Sequence, residues 1–377
     1  MNRKQFLVLV IALVVLGGAG LALFWQDIAA YRAAGARIGA KLLPGLRVSE
    51  VAQVSLQDAK TQATLARKDD TWVVRERGDY PANVQGISEL LIKLAELKVV
   101  QSEAVAESLL PRLELAMPGR GEGSGTLVEF RDAAGKVLAS LVLGKKVLKK
   151  DPLNPLPGAR DGVPAGRYVL VAGNKGGGVV VVSDPLDGAH ADPAKWLFRN
   201  FFRAERIRTL AVAGEGALSW KISRDEEYGQ WKFAVGGGEL DSSAAVGAAN
   251  ALGAMSFDDV VVAPGPEDSE KPVTVTAQTF DNLTYVLKIA RKKDGSGYYL
   301  NFAVSGEPPR QRVPEKGEKA EDKERRDKEF ADNLKKLEER LAAEKALARW
   351  TYVVSAQAVA PLLKERAQLV VNRKDRK

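Results

Sequence analysis

The strongest constraint on the fold of this chain is that much of it is written twice. The stretches LRVSEVAQVSL and ATLARKDDTWVV, ending at Val74, are echoed by ERIRTLAVAGEGALSWKISRDEEYGQWKF, ending at Phe233, and Trp72 falls on Trp231 at an offset of 159 residues. An echo at a fixed period marks a structural unit, so a single unit folded twice accounts for most of the length. In each copy alternating apolar residues run into a charged turn (RKDD from Arg67, RDEEYG from Arg224) and re-emerge at the tryptophan. That is the pattern of a β-hairpin with one buried face. Asn83 and Asp241 then offer side-chain acceptors to the free N–H groups at a helix start. Behind them Ile87, Leu90, Leu91, Leu94 and Leu97 form one helical stripe, and Ala245, Ala248, Ala249, Leu252 and Met255 form another. Each stripe predicts a helix lying on a sheet, the alanine-rich one at closer approach.

Downstream, TLVEFRDAAGKVLASLVLG and GRYVLVAG are answered by VTVTAQTFDNLTYVLKIA and GYYLNFAVSG, and GVVVVSDPL around Ser183 by TYVVSAQAV around Ser355. A short helix is expected after each, in PAKWLFR and APLLKER. The expected fold class is therefore α+β: an N-terminal transmembrane helix, then two tandem copies of a strand-rich unit built of hairpins and amphipathic helices. The domains drawn from the sequence are an anchor with a short cytoplasmic flank at 1–30, a linker at 31–45, repeats at 46–204 and 205–371, and a basic tail at 372–377. The second repeat carries a charged helical insert at 306–349, in which Phe330, Leu334, Leu337 and Leu341 stand four, three and four residues apart. That spacing makes the seam of a short coiled coil or of a helix laid on a surface, and these four are the partner-binding residues the sequence offers. The alternative is a solvated charged helix resting one face on its own domain.

Residues 6–24, FLVLVIALVVLGGAGLALF, are uncharged, with Arg3 and Lys4 before them and Trp25 after. Nineteen residues at 1.5 Å each give about 28 Å, the depth of a bilayer core. The basic flank is expected in the cytoplasm and the body in the periplasm, a single pass of a bacterial inner membrane. Ala29 and Ala30 leave open a cleaved signal peptide, although the run exceeds the roughly 7–15 residues of a signal core. The body is exported on either reading.

Net charge is +8, but it sits at the ends: about +4 over residues 1–45 and about +4 over 361–377, with the remainder near neutral. A phosphate-binding face needs its cations gathered on a folded surface, so no nucleic-acid partner is expected. Cysteine is absent, which excludes disulfides, thiolate metal sites and cysteine nucleophiles. His190 is the single histidine and lies in a turn-rich string without a GxSxG elbow, so neither a two-histidine metal site nor a serine triad is expected. GRGEGSGT near Gly121 and AGNKGGG near Gly176 lack the spacing of phosphate-binding loops and read as hairpin turns. The acidic pairs Asp69–Asp70 and Asp258–Asp259 read as wet turns rather than as catalytic carboxylates. Trp72 and Trp231 offer stacking aromatics for a sugar, against the plainer role of a repeated core position. No catalytic residue, metal or cofactor is expected.

With TWVV at Thr71, the helix after Asn83, LGKK before a hairpin, the RYVLV strand and PAKWLFRN, the chain resembles the domain of unknown function family numbered 4340, from about Leu46 to Val371. The resemblance implies an envelope protein that accompanies ABC-2 type transporters and gliding-motility auxiliary subunits, and it assigns no active-site residues. The expected function is a non-enzymatic, membrane-anchored periplasmic accessory or scaffold subunit of such a complex, acting through protein–protein contacts. The alternatives are an envelope glycan- or lipid-binding module, and an enzyme using the acidic pairs.

Overall fold

A computed structural model describes residues 38–149, 162–171, 178–216, 218–264, 266–314 and 318–371. The membrane helix expected at 6–24 and the basic tail at 372–377 lie outside these residues. Among the described residues no helix is long and apolar enough to cross a membrane. The chain divides into two compact units, one ending at Phe198 and one beginning at Arg199.

The first unit is an antiparallel sheet of β1 (Gln53–Gln57), β2 (Gln62–Lys68), β3 (Thr71–Val74), β4 (Tyr80–Pro81), β5 (Val99–Ala104), β6 (Thr126–Arg131), β7 (Val137–Lys149), β8 (Val163–Val171) and β9 (Gly178–Val182). Their order is β4-β3-β2-β1-β6-β7-β8-β9-β5. One α-helix, α1 (Val84–Glu96), joins β4 to β5. Asn83 caps it by accepting from the Gly86 N–H at 3.2 Å, and Ile87, Leu90, Leu91 and Leu94 are its buried stripe. The charged turn of the first hairpin is Asp69–Asp70, between paired Lys68 and Thr71, with φ of 47° and 62°. Two successive positive φ values make the tight turn whose twist matches paired strands, which is why short polar residues stand there.

The second unit is an antiparallel sheet of β10 (Ile207–Ala213), β11 (Ser219–Ser223), β12 (Lys232–Phe233), β13 (Asp259–Val261), β14 (Val273–Thr279), β15 (Leu283–Arg291), β16 (Tyr298–Gly306) and β17 (Thr351–Val354). Its order is β12-β11-β10-β14-β15-β16-β17-β13; with β4 set aside, the two sheets match strand for strand. Helix α2 (Ser242–Gly253), capped by Asp241 through the Ser243 and Ala244 N–H groups, occupies the place of α1. Two further helices, α3 (Ala320–Leu347) and α4 (Ala356–Val359), flank β17. The core of this unit is strongly aromatic: Phe201 lies 4.4 Å from Tyr352 and 5.1 Å from Phe257, and Phe202 lies 4.7 Å from Phe302, centroid to centroid.

The α+β expectation is corrected by this architecture, which is mostly antiparallel sheet with few helices. PAKWLFR closes only one 3₁₀ turn, Pro193–Trp196, because Leu197 turns extended to pair with Ala82 and the Phe198 N–H donates to the Pro81 carbonyl. APLLKER does not form a helix of its own, because Pro361 has no N–H with which to prolong α4. GRGEGSGT is likewise no hairpin turn, but the loop from the 3₁₀ helix Glu107–Leu113 into β6. The unit boundary also falls before Ala204, because Arg199 donates to the Phe257 and Asp258 carbonyls and Phe202 is fully buried in the second core.

Candidate functional site

The insert departs from the duplicated plan, and a site in the second unit forms around it. Its helix α3 begins with Glu321 and Asp322 and carries Lys345 in its last turn, charges that suit the two ends of the helix dipole. The incoming coil is tied to the first turns by Arg312, which pairs with Glu318 at 2.7 Å and Asp327 at 2.9 Å, and by Arg326, which reaches Glu318 at 3.1 Å.

Only the C-terminal part of α3 is seated. Leu341 and Leu347 are buried there, and between them lies Glu344, 2% exposed. A carboxylate is costly to bury unless its lone pairs are met. One Glu344 oxygen accepts from the Arg203 backbone N–H at 3.0 Å and the other from the Tyr285 hydroxyl at 2.8 Å. The Arg340 guanidinium, one helical turn back, puts its Nε 3.7 Å from Glu344 and donates through Nη1 to Glu205 at 2.7 Å. That Nε is buried without a hydrogen-bond partner. Burial pushes the Glu344 carboxyl above the usual carboxylate range, against the pull of the Arg203 N–H, the Tyr285 hydroxyl and Arg340. The Tyr285 hydroxyl is pushed up by burial and then by the neighbouring Glu344.

N-terminal to this seat the helix stands off the sheet and leaves a groove of about 700 Å³. One wall is the α3 face carrying Phe330, Leu334 and Leu337. The other is Phe280 and Asp281, in the turn between β14 and β15, with Glu205 and Arg206 just ahead of β10. Arg206 is paired with Asp281 and, at 2.8 Å, with Glu227. Burial raises the Asp281 carboxyl more than Arg206 lowers it, while the hydrogen bond to Glu227 holds Arg206 firmly charged. The groove therefore has apolar side chains on both walls, set among charges most of which are already matched.

Of the four seam residues, Phe330, Leu334 and Leu337 line this groove half-buried, whereas Leu341 is buried in the seat below. Trp231 is buried under the Arg224 guanidinium, 4.9 Å from its ring centroid. Trp72 is half-buried on β3, opposite Arg67 of β2. The two tryptophans thus belong to different units, Trp72 opposite Arg67 on the neighbouring strand and Trp231 beneath Arg224. Asp69–Asp70 and Asp258–Asp259 are divided between the units in the same way. His190 is exposed beside a cleft of about 190 Å³ along α1, with its carbonyl accepting from Trp196 Nε1 at 2.7 Å.

Sequence reasoning missed Glu344, Arg340, Tyr285 and Arg206. A signal existed for the first: the seam spacing continues by three from Leu341 to Glu344, placing a carboxylate on an otherwise apolar line. Among the described residues no group of three or more histidine, aspartate or glutamate side chains is arranged to hold a metal ion. No family model, no curated protein and no solved structure matches this chain.

Proposed function

We propose that this protein is a non-enzymatic accessory or scaffold subunit of a bacterial envelope complex of the ABC-type transport or gliding-motility kind, and that it engages a partner protein through the groove beneath α3. The observation that carries this reading is the posture of the helix. Leu341, Glu344 and Leu347 fix its C-terminal end, so Phe330, Leu334 and Leu337 are held in a row, half-buried, over an open groove of about 700 Å³. Apolar side chains kept wet in a contiguous line are costly in isolation and mark contact surfaces. The apolar run at 6–24, preceded by Arg3 and Lys4, supports attachment at the inner membrane with the body in the periplasm. The resemblance carried by LGKK, RYVLV and PAKWLFRN supports the transporter association.

The test is site-specific photocrosslinking in living cells at near-native expression. A photoreactive residue at Leu334 is expected to trap a discrete protein partner, and one at Val235, 70% exposed and outside the groove, is not. Identical crosslinking patterns at the two positions refute the reading.

A further inference from the structure

We infer that the groove beneath α3 receives an amphipathic helix of a partner protein whose flanks are acidic. This rests on the proposed function and names the chemistry of the partner.

The helical form of the occupant follows from spacing. Phe330, Leu334 and Leu337 stand four and three residues apart on one face of α3, the interval at which one helix presents knobs to the holes of another. Phe280 supplies an apolar surface on the opposite wall, so a guest with two or three bulky side chains in a row is gripped from both sides. A second copy of α3 fits poorly as the guest, because the next seam positions, Leu341 and Glu344, are buried in their own unit and leave only three knobs free. Coiled coils need a longer uninterrupted seam than that.

The acidic character follows from the charged groups of the lining. Its two carboxylates are engaged, Glu205 by Arg340 and Asp281 by Arg206. On the donor side, Lys336 is exposed and has no acidic partner among the described residues. Arg206 and Arg312 each keep N–H groups beyond those spent on their ion pairs, since a guanidinium carries five donors. Arg206, Arg312, Lys336 and Arg340 thus stand in the lining against Glu205 and Asp281, and a guest bringing glutamate or aspartate beside its apolar row balances that excess of cations. Lys336, one position before Leu337 and exposed, is the natural mate for such a carboxylate.

The test uses the full chain in detergent and two fluorescein-labelled helical peptides with the same leucine row, one with glutamate flanks and one with lysine flanks, followed by anisotropy. The glutamate peptide is expected to bind at least tenfold tighter. Leu334→Asp and Leu337→Asp are each expected to abolish its binding, and Lys336→Glu to reduce its preference over the lysine peptide severalfold. Because all three positions are at least partly exposed, circular dichroism is expected to show an unchanged fold, which separates lost contact from lost structure. Equal affinity for the two peptides, no binding of either, or glutamate-peptide binding untouched by Leu334→Asp and Leu337→Asp overturns the inference. So does groove-dependent binding of phosphatidylglycerol vesicles without binding of the peptides. A retained photocrosslink at Leu334 alongside equal peptide affinities sinks only the acidic partner, whereas loss of the crosslink sinks the groove itself.

Discussion

Replacing Glu344 by alanine tests whether a buried carboxylate, rather than the leucines beside it, fixes the posture of α3. The side chain is 2% exposed and accepts two hydrogen bonds, from the Arg203 N–H and the Tyr285 hydroxyl. Bonds to a charged acceptor contribute about 1.5–3 kcal/mol each, and removing the acceptor leaves the Arg203 N–H unpaired in a dry site, while the Tyr285 hydroxyl keeps only the Arg203 carbonyl at 3.3 Å. Against this, the variant no longer bears the desolvation that pushes the carboxyl up. The balance is a loss of about 2–4 kcal/mol for Glu344→Ala, and of about 1 kcal/mol for Glu344→Gln, which keeps the shape and one acceptor. The carboxyl also sets a pH dependence. Its folded value is raised above that of the unfolded chain, so its favourable contribution is fully present below the ordinary glutamate range and is lost as pH rises through the raised folded value. Asp281, also raised, pulls in the same direction, and Glu344→Gln separates the two. Urea unfolding followed by tryptophan fluorescence, with Trp350 just beyond the end of α3, is the assay. Stabilities of wild type, Glu344→Ala and Glu344→Gln that agree within about 0.5 kcal/mol from acid to neutral pH would refute the reasoning.

Gly306 ends β16 at φ 106°, and a Cβ there would meet the Asn282 carbonyl at 2.1 Å, so Gly306→Ala is expected to cost at least about 2 kcal/mol in thermal unfolding. Asp70 sits at φ 62° in the first hairpin turn, so Asp70→Gly is expected to stabilise the chain by about 0.5–1 kcal/mol; a loss instead would give the acidic pair a role beyond the turn. Arg224→Ala removes the guanidinium over Trp231 and its 2.7 Å bond to the Ile207 carbonyl, with an expected cost of about 1–2 kcal/mol and a changed tryptophan emission. Asp241→Ala strips the cap of α2 and is expected to cost about 1 kcal/mol by chemical denaturation.

Local patterns were readable from the residues, and distant adjacency was not. The RKDD turn, the caps Asn83 and Asp241 and the stripe from Ile87 to Leu94 announce themselves because each is decided within a few residues. The helical share was overestimated where a distant partner captured the chain, as at Leu197, whose pairing with Ala82 leaves PAKW a single turn. β5 carries no repeat signal, and its place at the sheet edge beside β9 is fixed by pairing across some eighty residues, for instance Val99 with Val182. The groove was half legible: Phe330, Leu334 and Leu337 stood out as a seam, while Arg206, Asp281 and Glu205 reach it only because β10 and β14 are neighbours. Glu344 was hidden by its type, since a lone carboxylate amid some forty residues rich in charge looks solvated until Tyr285 is seen above it.

The shared strand order places α3 in the gap between β16 and β17, where the first sheet joins β8 to β9 through residues 172–177. Lengthening a connection from six residues to 44 adds only about 2 kcal/mol of closure entropy, since each doubling costs about 0.6. Neither Tyr298 opposite Val354 nor Leu300 opposite Tyr352 needs to change register to admit it. Such a junction works as a socket: a helix of this length can be seated in it while the strand pairing of the sheet that carries it stays untouched.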